Sequence, residues 1–155
     1  MASIRRQILD NLVESLSNIS KANGFNTDVV EVSKKFIDPE SVQSPNIFVS
    51  LGKESRTQTR DEQFNYDCQL DAELLISIGI RTDIEDQGTL SDAAEDIIED
   101  IDDYLEHNKI SDYCCTLNEI EGMQSFGISE IEPYLDDTSN RTYIIVTISI
   151  TYLKL

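Results

Sequence analysis

Residues 143–153 read YIIVTISITYL, and the two-residue rhythm of that stretch decides the fold class. Ile144, Val146, Ile148, Ile150 and Tyr152 fall on one side of an extended chain, opposite Thr147, Ser149 and Thr151. Such a period marks a strand with one face toward a core. The pattern returns from about Tyr66 to Thr82, where Cys68, Leu70, Ala72, Leu74, Ile76, Ile78 and Ile80 alternate with mostly polar neighbours. Two long alternating strands call for a sheet, and helices must cover its apolar side.

Working outward, residues 136–140 make a turn before the last strand, and another strand runs from about Gly127 to Leu135. Ala94, Ile97, Ile98, Ile101, Tyr104 and Leu105 recur at helical spacing. That helix opens at Gly88-Thr89-Leu90-Ser91-Asp92, where Thr89 and Asp92 resemble a capping box with a shortened acid. At the start of the chain, Ile4, Ile8, Leu9, Leu12, Leu16 and Ile19 predict a helix from Ser3 to Ala22. Ser3 is its expected N-cap and Asn23-Gly24 its stop. Arg5 and Arg6 sit at the positive end of that helix dipole, which does not help the helix and points to a partner for them.

Between helix and sheet, Val29, Val30 and Val32 predict a strand ending near Phe36. Asp38-Pro39-Glu40-Ser41 reads as a capped single turn with proline at its first helical position. Pro45 precedes a strand over Asn46 to Leu51. Residues 53–64, polar and rich in Arg, Thr, Ser and Gln, read as a mobile loop or hairpin tip. The expected architecture is α+β in one domain spanning 1–155. It has a single mixed, mostly antiparallel sheet with two helices packed on one face, and Leu12, Leu16, Ile98 and Ile101 lie in the core.

The charge balance limits the functions. Thirty acidic residues against twelve basic ones give a formal net charge of −18. That field opposes sequence-specific nucleic-acid binding and docking on anionic membranes. It suits solubility in a salty setting or a passage through which a polyanion slides without sticking. The apolar stretch Tyr143 to Leu155 is interrupted by Thr147, Ser149 and Thr151 and is too short to span a bilayer. Met1 to Leu12 lacks the apolar core of a signal peptide. Cys68, Cys114 and Cys115, odd in number with an adjacent pair, form no disulfide framework and are expected as free thiols.

Catalytic and metal chemistry find little to use. Asp83-Ile84-Glu85-Asp86-Gln87-Gly88 resembles the start of a calcium loop, with glycine sixth and Leu90 eighth. Gln87 at the fifth position, Ala94 at the twelfth and a preceding strand count against it. His107 is the only histidine, and its place beside Glu106 near a helix C-terminus favours the protonated form. Cys114-Cys115 lacks zinc spacing, and no phosphate loop, dinucleotide fingerprint or nucleophile elbow is present. The chain is therefore expected to be no enzyme and to need no cofactor or metal.

Two charged groups stand out. Lys53, Arg56 and Arg60 are a local basic cluster in a negative chain, suited to an acidic face of a neighbouring subunit. The second helix carries like charges four residues apart, including Asp92 with Asp96, Asp96 with Asp100, and Glu99 with Asp103. Each such pair costs an isolated helix about 0.2–0.5 kcal/mol. The stripe is either a solvated face in a chain acidic throughout, or a surface that must stay negative.

The order of elements resembles a family. A leading amphipathic helix (Ile4-Arg5-Arg6-Gln7-Ile8-Leu9) precedes two strands around a proline-containing segment and a long strand ending Ile80-Arg81-Thr82-Asp83. An acidic helix follows, and the chain closes on the alternating strand from Ile144 to Tyr152. This arrangement is similar to that of the tail terminator, or tail-completion, proteins of long-tailed bacteriophages. The strongly acidic helix and the long 108–126 connection depart from that pattern. The resemblance implies a virion protein of the tail or neck, made in the host cytoplasm and assembled as a homohexameric ring. Such a ring caps the tail tube, stops its polymerisation and joins the head-side connector, while DNA passes through without sequence-specific binding. Asp96, Glu99, Asp100 and Asp103 are then the candidates for the lumen wall, and Lys53, Arg56 and Arg60 for the subunit or tube contact. A head–tail stopper or neck connector is the alternative reading, and an acidic DNA mimic a more distant one.

Overall fold

The computed structural model describes residues 3–35, 45–58, 65–79, 87–106, 115–136 and 141–154. The two alternating stretches become the central strands, β3 (Tyr66–Gly79) and β5 (Arg141–Lys154), paired antiparallel. Their apolar positions meet in register: Cys68 opposite Tyr152, Leu70 opposite Ile150, Ala72 opposite Ile148, Leu74 opposite Val146, Ile76 opposite Ile144. Cross-strand pairs of this kind are the unit of sheet stability. All ten of these side chains are buried.

β2 (Asn46–Gln58) pairs antiparallel with β3, and β4 (Met123–Asp136) with β5. The short β1 (Glu31–Ser33) lies parallel to the start of β2, so the mixed five-stranded sheet has the order β1-β2-β3-β5-β4. Helices α1 (Ile4–Leu16) and α2 (Gln87–Glu106) cover one face. Ile8, Leu12 and Leu16 from α1 and Ala94, Ile97, Ile101, Tyr104 and Leu105 from α2 join the strand side chains in one core. The expected α+β class, with a single sheet and both helices on one side, is what the chain adopts. Leu12, Leu16 and Ile101 are fully buried as expected, and Ile98 packs partly buried against them.

Several boundaries differ from the expectation for local reasons. Ser3 caps α1 by accepting from the Arg6 amide at 3.2 Å, but the helix stops at Leu16, short of Ala22. The Ser17 hydroxyl donates to the Glu14 carbonyl, a local bond that competes with helix continuation. Ile19 then turns into the core, and its carbonyl accepts from the Val29 amide at 3.0 Å. Gly24, with φ of 93°, ends only the one-turn 3-10 segment Lys21–Asn23. The strand expected from Val29 to Phe36 is three residues long, because only 31–33 find a partner in β2.

α2 begins at Gln87, so Thr89 lies inside the helix and is not its N-cap. β4 begins at Met123, ahead of the expected Gly127. The largest correction concerns 53–64. Residues 53–58 are strand, because Glu54 to Gln58 pair with Leu70 to Tyr66 after a bulge between Leu51 and Glu54. Residues 59–64, the single turn expected at 38–41 and the calcium-loop look-alike from 83 to 86 lie outside the described residues.

The other face of the sheet carries no described helix. Leu75, Ile145, Thr147, Ser149 and Thr151 on that face are half-buried, and Asp67, Gln69, Glu73, Glu130 and Glu132 are exposed. No helix among the described residues is long and apolar enough to cross a membrane.

Candidate functional site

The bulge in β2 sets the geometry of the basic cluster. Gly52 and Lys53 together stand opposite the single Asp71, one residue more than the ladder needs, and a Cβ on Gly52 would come within 3.3 Å of the Asp71 carbonyl oxygen. One inserted residue flips every following side chain to the other face. Glu54 and Arg56, not Lys53 and Ser55, therefore fall on the side facing the helices. Glu54 is nearly enclosed, its side chain 8% exposed. It accepts hydrogen bonds from the Tyr152 hydroxyl and from Arg56 Nε, the latter at 2.6 Å, and Arg5 Nη1 approaches at 3.5 Å.

Burial pushes the Glu54 carboxyl up, but the bonds from Tyr152 and Arg56 and the charges of Arg56 and Arg5 outweigh it. The net result holds Glu54 below the usual carboxylate range. Burial and the Glu54 contact together push the Tyr152 phenol well above its ordinary value. Arg56 is held above its ordinary value by the same hydrogen bond and charge. This arrangement accounts for the arginines of α1 within the chain. Arg5 meets Glu54, and Arg6 meets Asp10 one turn on, at 3.7 Å.

Of the three basic candidates, Lys53 is exposed on the bulge. Arg56 is exposed but engaged with Glu54, so its charge is partly spent inside the chain. Arg60 lies outside the described residues.

The acidic candidates divide. Asp96 and Glu99 are exposed on α2, and Asp103 is half-buried. Asp100 cannot line a lumen from this position, because it is 1% exposed. Its Oδ1 accepts from the Asn26 amide at 2.8 Å and its Oδ2 from the Thr27 amide at 2.9 Å and the Thr27 hydroxyl. Asp100 is a clamp that ties the 25–28 turn to α2. Burial raises its carboxyl above the usual range against the pull of those donors, and the neighbouring charge of Asp103 adds to the rise. The spacing held a signal for this role: Asp100 lies three residues after Ile97 and four before Tyr104, both core-facing.

Two smaller features tie α1 to its neighbours. The Ser15 hydroxyl donates to the Asn11 carbonyl at 2.6 Å and shares a hydrogen bond with the Tyr104 hydroxyl of α2. Asn11 Nδ2 donates to Thr116 Oγ1 at 2.8 Å. Cys68 and Cys115 are buried free thiols, and Cys114 and His107 lie outside the described residues.

No protein-family model matches the chain, and no curated protein matches it. The geometry thus offers two charged surfaces, a bulged strand with basic residues and an acidic helix face, on a sheet whose described helices lie on one side.

Proposed function

We infer that the chain is a structural subunit of a long-tailed phage virion, a tail terminator. Copies of it form a ring, six in number by the family resemblance, that caps the tail tube and stops its polymerisation. The ring joins the head-side connector, and DNA crosses its centre without being read. Its place is the tail or neck of the virion.

What carries the reading is the layering. Both helices sit on one side of a single sheet, while the opposite face has no described helix over it and the long outer strand β4 has no described neighbour beyond it. Surfaces of that kind suit contact with other subunits. The acidity supports the same reading, since six copies carry on the order of −100 formal charges, a field that keeps DNA off the wall.

The test is a mixing assay. Added to purified tail tube protein, the chain stops tube polymerisation, and electron microscopy shows rings at the tube ends. Binding to a head-side connector with tube growth unaffected identifies a stopper or neck protein instead. A monomer or dimer that engages neither contradicts the ring.

A further inference from the structure

Asn23-Gly24 is the chain's only Asn-Gly pair. In such a pair an asparagine most readily loses its side-chain amide, because glycine leaves the following amide nitrogen unhindered. The fold places the pair in a closely bonded turn. Asn23 ends the 3-10 segment Lys21–Asn23, its amide donating to the Ser20 carbonyl at 3.1 Å. The Gly24 amide donates to the Lys21 carbonyl at 3.0 Å, and the Phe25 amide to the Ser20 carbonyl at 3.1 Å. The Asn23 side chain turns back, and its Nδ2 donates to the Asn18 carbonyl at 2.7 Å. Two carboxylates hold the turn in place. Asp28 accepts from the Lys21 amide at 2.7 Å, and the buried Asp100 of α2 accepts from the amides of Asn26 and Thr27. Phe25, buried in the core, anchors the middle of the turn.

We propose that Asn23-Gly24 is a latent deamidation site, closed by this turn and opened when the Asp100 clamp lets the turn go. The inference stands apart from the ring reading.

The reaction consumes only water. The Gly24 nitrogen, its proton taken by solvent base, attacks Asn23 Cγ. A Cγ–N bond forms, the Cγ–Nδ2 bond breaks, and ammonia leaves with a proton from water. The five-membered imide then adds one water and opens at either carbonyl, to aspartate or isoaspartate. The sum is one water in and one ammonia out, with no change of oxidation state. The folded turn opposes each requirement. The Lys21 carbonyl holds the Gly24 proton, and the Asn23 carboxamide is turned toward Asn18. Asn23 also keeps a helical backbone that the flat imide ring must leave. The products cannot rebuild the turn. A carboxylate at position 23 meets the Asn18 carbonyl with no proton to donate. Isoaspartate inserts a further carbon into the backbone ahead of Gly24, whose φ is 93°. Conversion therefore leaves the turn loosened and marks, one way, that it has opened.

Mass spectrometry of the tryptic peptide 22–34 follows the reaction by its mass gain and its separate aspartate and isoaspartate peaks. At mildly alkaline pH, conversion is expected to be about tenfold or more slower in the folded chain than in urea. Asp100→Asn is expected to raise the folded rate about fivefold or more and to leave the rate in urea unchanged. Thr27→Val removes only the hydroxyl donor to Asp100, and about a threefold rise is expected from this milder opening. Equal rates in native buffer and in urea overturn the closed turn. A folded Asp100→Asn or Thr27→Val protein that converts at the wild-type rate overturns the clamp as its gate. Converted protein, separated by its added charge, is expected to unfold at lower urea than the unconverted chain. An unchanged midpoint overturns the loosened product.

Discussion

A carboxylate taken out of water needs donors, and Asp100 finds three of them in the turn at Asn26 and Thr27. Asp100→Asn keeps the shape but sets an amide NH2 against a backbone donor. The expected loss is about 1–3 kcal/mol, measured by chemical denaturation at neutral pH. The pH dependence has a definite sign. Since the folded carboxyl lies above its unfolded value, the stability tied to its titration is fully present below about 3.9 and is lost as pH rises toward the folded value. The margin of the wild type over Asp100→Asn narrows over that window in paired thermal melts. Glu54 behaves oppositely, because its folded value is depressed. Its contribution is present above about 4.3 and is lost as pH falls through the folded value, so the margin over Glu54→Gln widens as pH rises. Two acids in one acidic chain thus titrate with opposite consequences. Their surroundings, not their residue type, set the direction.

At the scale of elements, the turn into β4 is the tightest constraint. Gly122 has φ of 93°, and its carbonyl accepts from the Leu153 amide at 2.8 Å. A Cβ there would sit 2.5 Å from the Leu153 carbonyl oxygen. Gly122→Ala is expected to destabilise by more than about 1 kcal/mol, with the midpoint of a urea titration as the readout. Packing of α2 is less local. Ile101 is fully buried, and Ile101→Ala is expected to cost about 2–5 kcal/mol through lost burial and a cavity. That cost exceeds the like-charge repulsion along the acidic stripe, which explains how a helix so charged stays folded. Both helices and the two central strands were legible from periodicity, because a 3.6- or 2-residue rhythm reports which face is buried. The ends were not. α1 ends where the Asn18 and Ile19 amides turn to the carbonyls three residues back, Ser15 and Leu16, and the β2 bulge carries a polar stretch on as strand because β3 supplies its partners.

For the whole molecule, the proposed acidic wall of a ring's channel is the property to test. Removing Asp100 from the candidates leaves Asp96, Glu99 and Asp103. Neutralising these to Asn, Gln and Asn is expected to leave assembly intact and slow DNA release from assembled particles several-fold, a rim effect on an electrostatic barrier. Release at the wild-type rate would show that this helix does not face the channel. The same measurement at raised salt should shrink the difference, since exposed charges are screened.

By itself, the sequence determined the α+β class, the apolar faces of α1, α2, β3 and β5, and the strongly negative charge. Each follows from local spacing or from composition, which need no knowledge of neighbours. Only the tertiary structure decided that β5 inserts between β3 and β4, that the slip at Gly52 and Lys53 turns Glu54 and Arg56 toward the helices, and that Asp100 points inward. These depend on strand order, register and donors more than seventy residues away in the chain. The alternating stretch at 143–153 announced a strand. Its position at the centre of the sheet, with an acidic strand outside it, came from pairing free energy summed over partners that no local window contains.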